Sequence, residues 1–517
     1  MDQEMKMILV RKKSFFTPYG ADPYASKMGG LQIVLIASEI EPFAKTGGLA
    51  DMLGSFSHAL VKLGYLPRLM LPKYRCIPAK FFTGDSSRLD ITVAGRNWPL
   101  RILAGQNPSG APIDFFDIPE LFDRPGIYGE KHGDYPDNCL RYTVFCRAVL
   151  EWLRRSGSAV DILHSHDWQS ALIPVYLKTL YAADPAFAKS RGLLTLHNMA
   201  YQGNFPATDF PLLDLEKKYF RPNFLEFFQK ISLLKGGIVA ADSITTVSPS
   251  YAREVLAPEL GFGMEGILHK RQDRFSGILN GIDEEEWNPE TNPELPFHFS
   301  AHSLDGKARC KSELQEKLGL PLRPDIPLFG TISRLVHQKG IDLLLEAIPT
   351  LAQRDFQWAI LGQGEEALER ALRQLAERFP EKVAARIGYD VGLSQRLTAG
   401  ADFLAMPSRF EPCGYNQLYA LRYGTIPLVH GIGGLRDSVR DWREEPERGT
   451  GIVMQESGVE ALRNGWLQAL EIFRQKEVLA AMRQRGMAED FTWKYSARQY
   501  LALYEETLRN PKTALEA

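Results

Sequence analysis

Several chemistries are excluded by what this 517-residue chain does not contain. Cysteine is scarce: Cys76, Cys139, Cys146, Cys310 and Cys413 stand singly, five in all, with no CxxC pair. That argues against a disulfide framework and reads as reduced thiols in a cytoplasmic protein. The cysteines and the ten histidines never fall at finger-like spacing, so no structural zinc site is expected. An excess of one charge is also missing, since 61 Lys and Arg face 63 Asp and Glu for a net charge of −2. Neither nucleic acid nor an anionic membrane is therefore expected as a partner held by bulk electrostatics. No apolar run approaches the roughly 18–20 residues that cross a bilayer. The first 30 residues carry no apolar stretch followed by a cleavage site and read as a loosely packed extension. Nucleophile-elbow and P-loop patterns, GxSxG and GxxxxGK[ST], are absent. "GQGEE" at 362–366 is too short for a dinucleotide fingerprint.

What is present is one repeated theme: a short apolar run, a polar or Gly-rich turn, then a helical pattern. In the first half the runs are "LQIVLIAS", "LPRLMLP", "IDFFDI", "VDILHSH", "GLLTLHN" and "SITTVS". In the second they are "PLFGTIS", "FQWAILG", "VAARIGY", "DFLAMPS", "TIPLVH" and "GTGIVM". Alternation of this kind predicts α/β layers on mostly parallel sheets. The Asn-, Gly- and Pro-dense stretch "GILNGIDEEEWNPETNPELPF" marks a junction near residue 280. The expected fold is two doubly wound, Rossmann-like α/β domains, 31–278 and 279–493, facing across a cleft. The segment 494–517 is expected to contain a terminal helix of about 15–18 residues on its apolar–polar pattern.

In open α/β sheets ligands sit beyond the carboxyl ends of the strands, and here those ends are polar. "EPFAKTGGLAD", residues 41–51, places Lys45, Gly47, Gly48 and Asp51 between a strand and a helix, with glycine following lysine rather than preceding it. "GTISRLVHQKG", residues 330–340, puts Arg334 and Lys339 before a helix. They suit a diphosphate, or are two solvated charges at a helix start. "PSRFEPCGYNQLYALRYGT", residues 407–425, puts Glu411 in a turn and Gly414 before a helix. Backbone N–H groups at that start suit phosphate oxygens. A carboxylate beside them suits sugar hydroxyls, or is a helix-dipole partner. Phosphate and hydroxyls together suggest a nucleotide sugar. Cys413 reads as a small packed thiol rather than a nucleophile. His164 and His166 share a strand parity in "HSHDWQS", so a metal pair is conceivable, although Trp168 is no ligand. His197 and Asn198 end another strand, and Asp137 precedes a helix.

Seven stretches in order carry a resemblance: "KTGGLAD", "HSHDW", "LHNMAYQG", "TVSPSYAREV", "GILNGIDEEEWNP", "SRLVHQKG" and "SRFEPCGYNQLYALRYGTIPLV". Together, over residues 31–510, they resemble the bacterial and plastid glycogen synthase/starch synthase family. The resemblance implies the two-Rossmann glycosyltransferase architecture called GT-B, in a cytoplasmic enzyme, with the C-terminal helix crossing back to the first domain. It implies a retaining transfer of glucose from ADP-glucose to the non-reducing-end 4-hydroxyl of glycogen or another α-1,4-glucan, without cofactor or metal. Arg334 and Lys339 would then clamp the diphosphate, and Glu411 would bind glucose hydroxyls. The backbone around Cys413, Gly414, Tyr415 and Asn416 would meet the phosphates, and Tyr389 would stack on adenine. The His166 carbonyl would steady charge at the anomeric carbon. Asp137 and Asn198 would belong to the substrate pocket. Lys45, Gly47, Gly48 and Asp51 would close over the donor from the first domain.

The sequence departs from the family pattern twice. Related retaining enzymes often carry a second glutamate eight positions after the first; here that position is Tyr419, as in the starch synthase branch. A double displacement through two carboxylates is therefore not expected. Tyr415-Asn416 stands where Leu-Thr is common, which would retune donor contacts. Two alternatives remain open at this stage: a related glycosyltransferase using UDP-glucose or another acceptor, and a non-catalytic glucan-binding protein on the same fold.

Overall fold

The apolar runs quoted above are all strands in the computed structural model, which describes residues 30–130 and 133–515. Residues 1–29, where the extension was expected, lie outside the described residues. The described residues divide into two compact units: 30–194 with Tyr201–Ser243 and 506–515, and Thr195–Ala200 with Ile244–Glu505.

The first unit is organised around Ile33–Ile36, an unbroken apolar strand buried along its whole length. Continuous burial suits a strand covered on both faces, as in parallel sheets. It pairs in parallel with Arg68–Pro72 on one side and Ile162–His166 on the other. Within this unit the sheet runs in the order Arg191–Leu196, Ile162–His166, Ile33–Ile36, Arg68–Pro72, Pro112–Asp117, Arg96–Gln106, Phe82–Val93. The last three are joined antiparallel. Their long hairpin, Phe82–Val93 with Arg96–Gln106, was not anticipated, yet its pattern is plain. Leu89, Ile91, Val93, Trp98, Leu100 and Ile102 are buried while Arg88, Asp90 and Thr92 are exposed. That is the period-two alternation of a sheet with one covered face. Ala94 and Gly95 take φ of 52° and 69° at the two-residue turn, which the twist of a hairpin demands.

The second unit holds a six-stranded parallel sheet. Its order is Val383–Ile387, Gln357–Gly362, Leu328–Ile332, Phe403–Met406, Ile426–His430, Ile452–Met454. In chain order within the sheet these are the third, second, first, fourth, fifth and sixth strands, the order of a dinucleotide-binding Rossmann fold. Its core is aromatic. Phe329 stacks on Trp466 at 3.8 Å between ring centroids, and Trp358 donates to the Thr331 hydroxyl at 3.0 Å. The order reverses between Leu328–Ile332 and Phe403–Met406, which are paired in parallel through Phe329 and Phe403. The loops leaving the carboxyl ends of those two strands are residues 333–340 and 407–415. The final helix, Trp493–Arg509, has 17 residues.

Candidate active site

Those two loops are laced together within the second unit. Arg409 N–H donates to the Gln338 carbonyl, and the Gln338 amide donates to the Phe410 carbonyl at 3.1 Å. The Arg409 guanidinium grips Asp342 with two bonds of 2.7 and 2.6 Å. Lys339 closes a single 3₁₀ turn, His337–Lys339, and its Nζ meets Glu411 Oε2 at 2.5 Å. Ser408 Oγ donates to the same carboxylate oxygen at 3.0 Å. Glu411 is buried, and a buried carboxylate needs such a cation and donor. Arg334 is exposed, and none of the described carboxylates pairs with it. Of the two cations in this loop, Lys339 pairs with a carboxylate and Arg334 pairs with none of those described.

Close backbone contacts fix these loops. Gly340 has φ of 67°, and a Cβ there would fall 2.2 Å from the Pro407 carbonyl oxygen. Gly433 has φ of 48°, and its Cβ would fall 2.0 Å from the Glu411 carbonyl oxygen. Only glycine fits such positions. His430 Nδ1 lies 2.8 Å from the Ser408 carbonyl oxygen.

The helix Asn416–Arg422 starts immediately after Gly414. Asn416 spends its side-chain amide on the Ile332 carbonyl at 2.6 Å, tying the helix start to the end of the first strand. The Tyr415 hydroxyl accepts from Asn280 at 3.0 Å. Tyr419, at the position of the absent second glutamate, stacks on Trp287 with ring centroids 3.5 Å apart. It fills a hydrophobic cluster with Phe297 and Ala301. Cys413 is buried, which pushes its thiol up to about 12 and makes it inert as a nucleophile. Tyr389 is 79% exposed, its ring face open to a planar ligand. Asn198 accepts from the Ala200 N–H at 3.0 Å, shaping its own turn.

In the first unit the loop after Ile33–Ile36 is organised by a residue that sequence reasoning passed over, Glu39. Its buried carboxylate accepts from Thr46 N–H, from Thr46 Oγ1 at 2.7 Å, from Gly47 N–H at 3.2 Å and from the Tyr128 hydroxyl. The amides of Thr46 and Gly47 are thus occupied. Lys45 pairs with Asp51 at 2.5 Å, and Gly48 opens the helix Gly48–Lys62. Glu39 was readable as a polar strand end in "LIASE". Asp137 is held by Arg124 through bonds of 2.7 and 2.5 Å. Burial pushes its carboxyl up, but the guanidinium outweighs that and holds it below its ordinary value. His166 ends its strand fully buried, its ring 4.1 Å from that of His164. Its carbonyl accepts from Ser170 Oγ at 2.8 Å. No group of three or more His, Cys, Asp or Glu among the described residues is placed to hold a metal ion.

Residues 32–270 match the family described as the starch synthase catalytic domain, and residues 312–486 match glycosyl transferases group 1. The chain is a glycosyltransferase enzyme on the two-Rossmann GT-B fold. Glycogen synthase of Anaeromyxobacter dehalogenans is 44% identical over 92% of this chain and 98% of its own length. Glycogen synthase 2 of Geobacter sulfurreducens is 40% identical over the same shares. The catalytic domain of starch synthase IV from Arabidopsis thaliana, solved bound to ADP and acarbose, superposes with a TM-score of 0.85. It is 33% identical and covers 93% of this chain and all of its own. The chain belongs to the glycogen synthase/starch synthase family. No described helix is long and apolar enough to cross a membrane.

Proposed function

We propose that this enzyme transfers glucose from ADP-glucose to the non-reducing-end 4-hydroxyl of an α-1,4-glucan such as glycogen, with retention at the anomeric carbon. The observation that carries the reading is the Lys339–Glu411 pair at the point where strand order reverses, with Arg334 in the same loop as Lys339 and paired with none of the described carboxylates. The relatives named glycogen synthase, and the ADP and acarbose bound to the Arabidopsis enzyme, support the donor and the acceptor.

In this reading the Glu411 carboxylate accepts from glucose hydroxyls, with Lys339 and Ser408 holding it in place. Arg334 and Lys339 face the diphosphate, where negative charge grows as ADP departs. Preorganised cations of this kind act on the transition state, and the reading calls for no metal. The backbone at Gly414–Asn416 adds amides, and Tyr389 offers its ring to adenine. His166 contributes its carbonyl to the positive anomeric centre, with Asp137, Asn198, Lys45, Gly47, Gly48 and Asp51 as further substrate contacts. With Tyr419 packed on Trp287, no second carboxylate stands eight residues on to form a glycosyl-enzyme intermediate. Single cysteines, all free among the described residues, suit a cytoplasmic enzyme.

The test is ADP or UDP release from the two nucleotide sugars with glycogen present. ADP-glucose should be strongly preferred; equal or better turnover of UDP-glucose would reassign the donor. Glycogen binding with no nucleotide released would reassign the protein as a glucan binder. Arg334→Ala should lower turnover by about 10²–10³. Its melting temperature should stay unchanged, because the side chain is exposed and bonded to no described carboxylate.

A further inference from the structure

Three contacts, in chain order, tie residues 248–262 to the helix Gly433–Ser438 and to the loop that carries Glu411. Asp437 accepts from Ser248 Oγ at 2.6 Å, Ser250 N–H at 2.8 Å and Ser250 Oγ at 2.6 Å. Those donors stand at the start of the helix Pro249–Glu254. At the other end of that helix, Glu254 accepts the Gly433 N–H at 2.9 and 3.1 Å. Gly433 opens the helix Gly433–Ser438, which carries Asp437 and has no cap from its own preceding residue. The two short helices therefore cap each other with carboxylates. Capping satisfies N–H groups that a helix cannot satisfy itself. Farther along, Phe262 takes a left-handed φ of 50° and sets its ring 6.1 Å from Phe410, the neighbour of Glu411.

The link to the site is backbone on backbone. Gly433 abuts the Glu411 carbonyl with no room for a methyl group, and the Gly434 N–H donates to that carbonyl at 3.1 Å. A shift of the Gly433–Ser438 helix start is thus passed directly to Glu411.

We propose that residues 248–262 form a brace that holds Glu411 in register for the donor, with Glu254 and Asp437 as its positioning residues. The inference rests on the donor-site reading above. On this proposal both carboxylates act through Gly433 and Gly434 rather than on the substrate. Misplacement of a reacting group by about 1 Å costs on the order of 10²-fold in rate.

The experiment compares Asp437→Ala with Asp437→Asn and Glu254→Ala with Glu254→Gln in the full chain, with Glu411→Gln as reference. Measured quantities are kcat, KM for ADP-glucose and for glycogen, and the melting temperature. The alanine variants should lose about 10- to 100-fold in kcat while KM for glycogen stays nearly constant. Asn and Gln retain an acceptor oxygen and should restore kcat to within a few-fold, even where they share the melting temperature of the alanine variants. Alanine variants with parental kcat, beside an impaired Glu411→Gln, would overturn the brace and leave the donor site standing. Loss of kcat in strict step with melting temperature, without rescue by Asn or Gln, would also overturn it. Full activity in Glu411→Gln would overturn the donor-site reading itself.

Discussion

Arg334, Lys339 and Glu411 lie in loops that follow strands, where open α/β sheets bind ligands, but as single residues each could equally be a solvated charge or a helix-dipole partner; the family resemblance is what gave them roles. Their division of labour was not legible in the sequence. That Lys339 is spent on Glu411 while Arg334 pairs with no described carboxylate depends on two loops 72 residues apart meeting side by side. Glu39 shows the opposite failure: it was visible, but nothing in the sequence says that its carboxylate takes the Thr46 and Gly47 amides. Gly47 itself has extended backbone, φ −157°, and a Cβ there would meet nothing within 4 Å. Gly47→Ala should therefore change stability by no more than about 1 kcal/mol, the cost of alanine at a helix cap. Denaturant melts read that directly. A large loss of turnover in the same variant would report a ligand approaching that face.

At the scale of elements, apolar runs located the parallel strands because buried strands are continuous in Val, Ile, Leu and Phe. The edge hairpin Phe82–Val93 and Arg96–Gln106 alternates cleanly but stands outside the strand–turn–helix repeat that marks the parallel strands. Another hairpin works against its local chemistry. Glu226–Phe227 and Lys230–Ser232 pair across a two-residue turn, with Phe228 at φ 48° and Gln229 at φ 63°. Such turns favour Asn-Gly, and left-handed backbone costs ordinary residues about 1–2 kcal/mol each. Phe228 is also 77% exposed, so little packing is lost if it is replaced. Replacing Phe228-Gln229 by Asn-Gly should raise stability by about 1 kcal/mol or more, seen as a higher denaturation midpoint with unchanged slope.

The most consequential ionic network at the scale of the second unit is one no motif announces. Asp402, at the amino end of its strand, accepts from Lys311 at 2.7 Å, Arg483 at 2.6 Å and the Leu328 N–H at 2.9 Å. The partners lie 91, 81 and 74 residues away, which is why sequence reading could not assemble them. Breaking a buried pair leaves an uncompensated charge, so Asp402→Asn should cost about 3 kcal/mol or more in equilibrium unfolding. Burial pushes the Asp402 carboxyl up, but Lys311 and Arg483 outweigh it and hold it below its ordinary value. A carboxyl lowered in the folded state stabilises fully above its unfolded pKa of about 3.9, and that contribution is lost as pH falls through the lower folded value. The acid limb of stability below about pH 4 should accordingly flatten in Asp402→Asn.

The crowded glycines of this unit carry a practical consequence for anyone redesigning the enzyme. Gly340, Gly433 and Gly434 press against carbonyl oxygens at 2.0–2.2 Å from where a methyl would sit, so those loops cannot be varied residue by residue. Tyr389, with its ring in open solvent, can. If Tyr389 stacks on the donor's base as proposed, a library meant to shift donor preference is best randomised there, with the glycine scaffold left untouched.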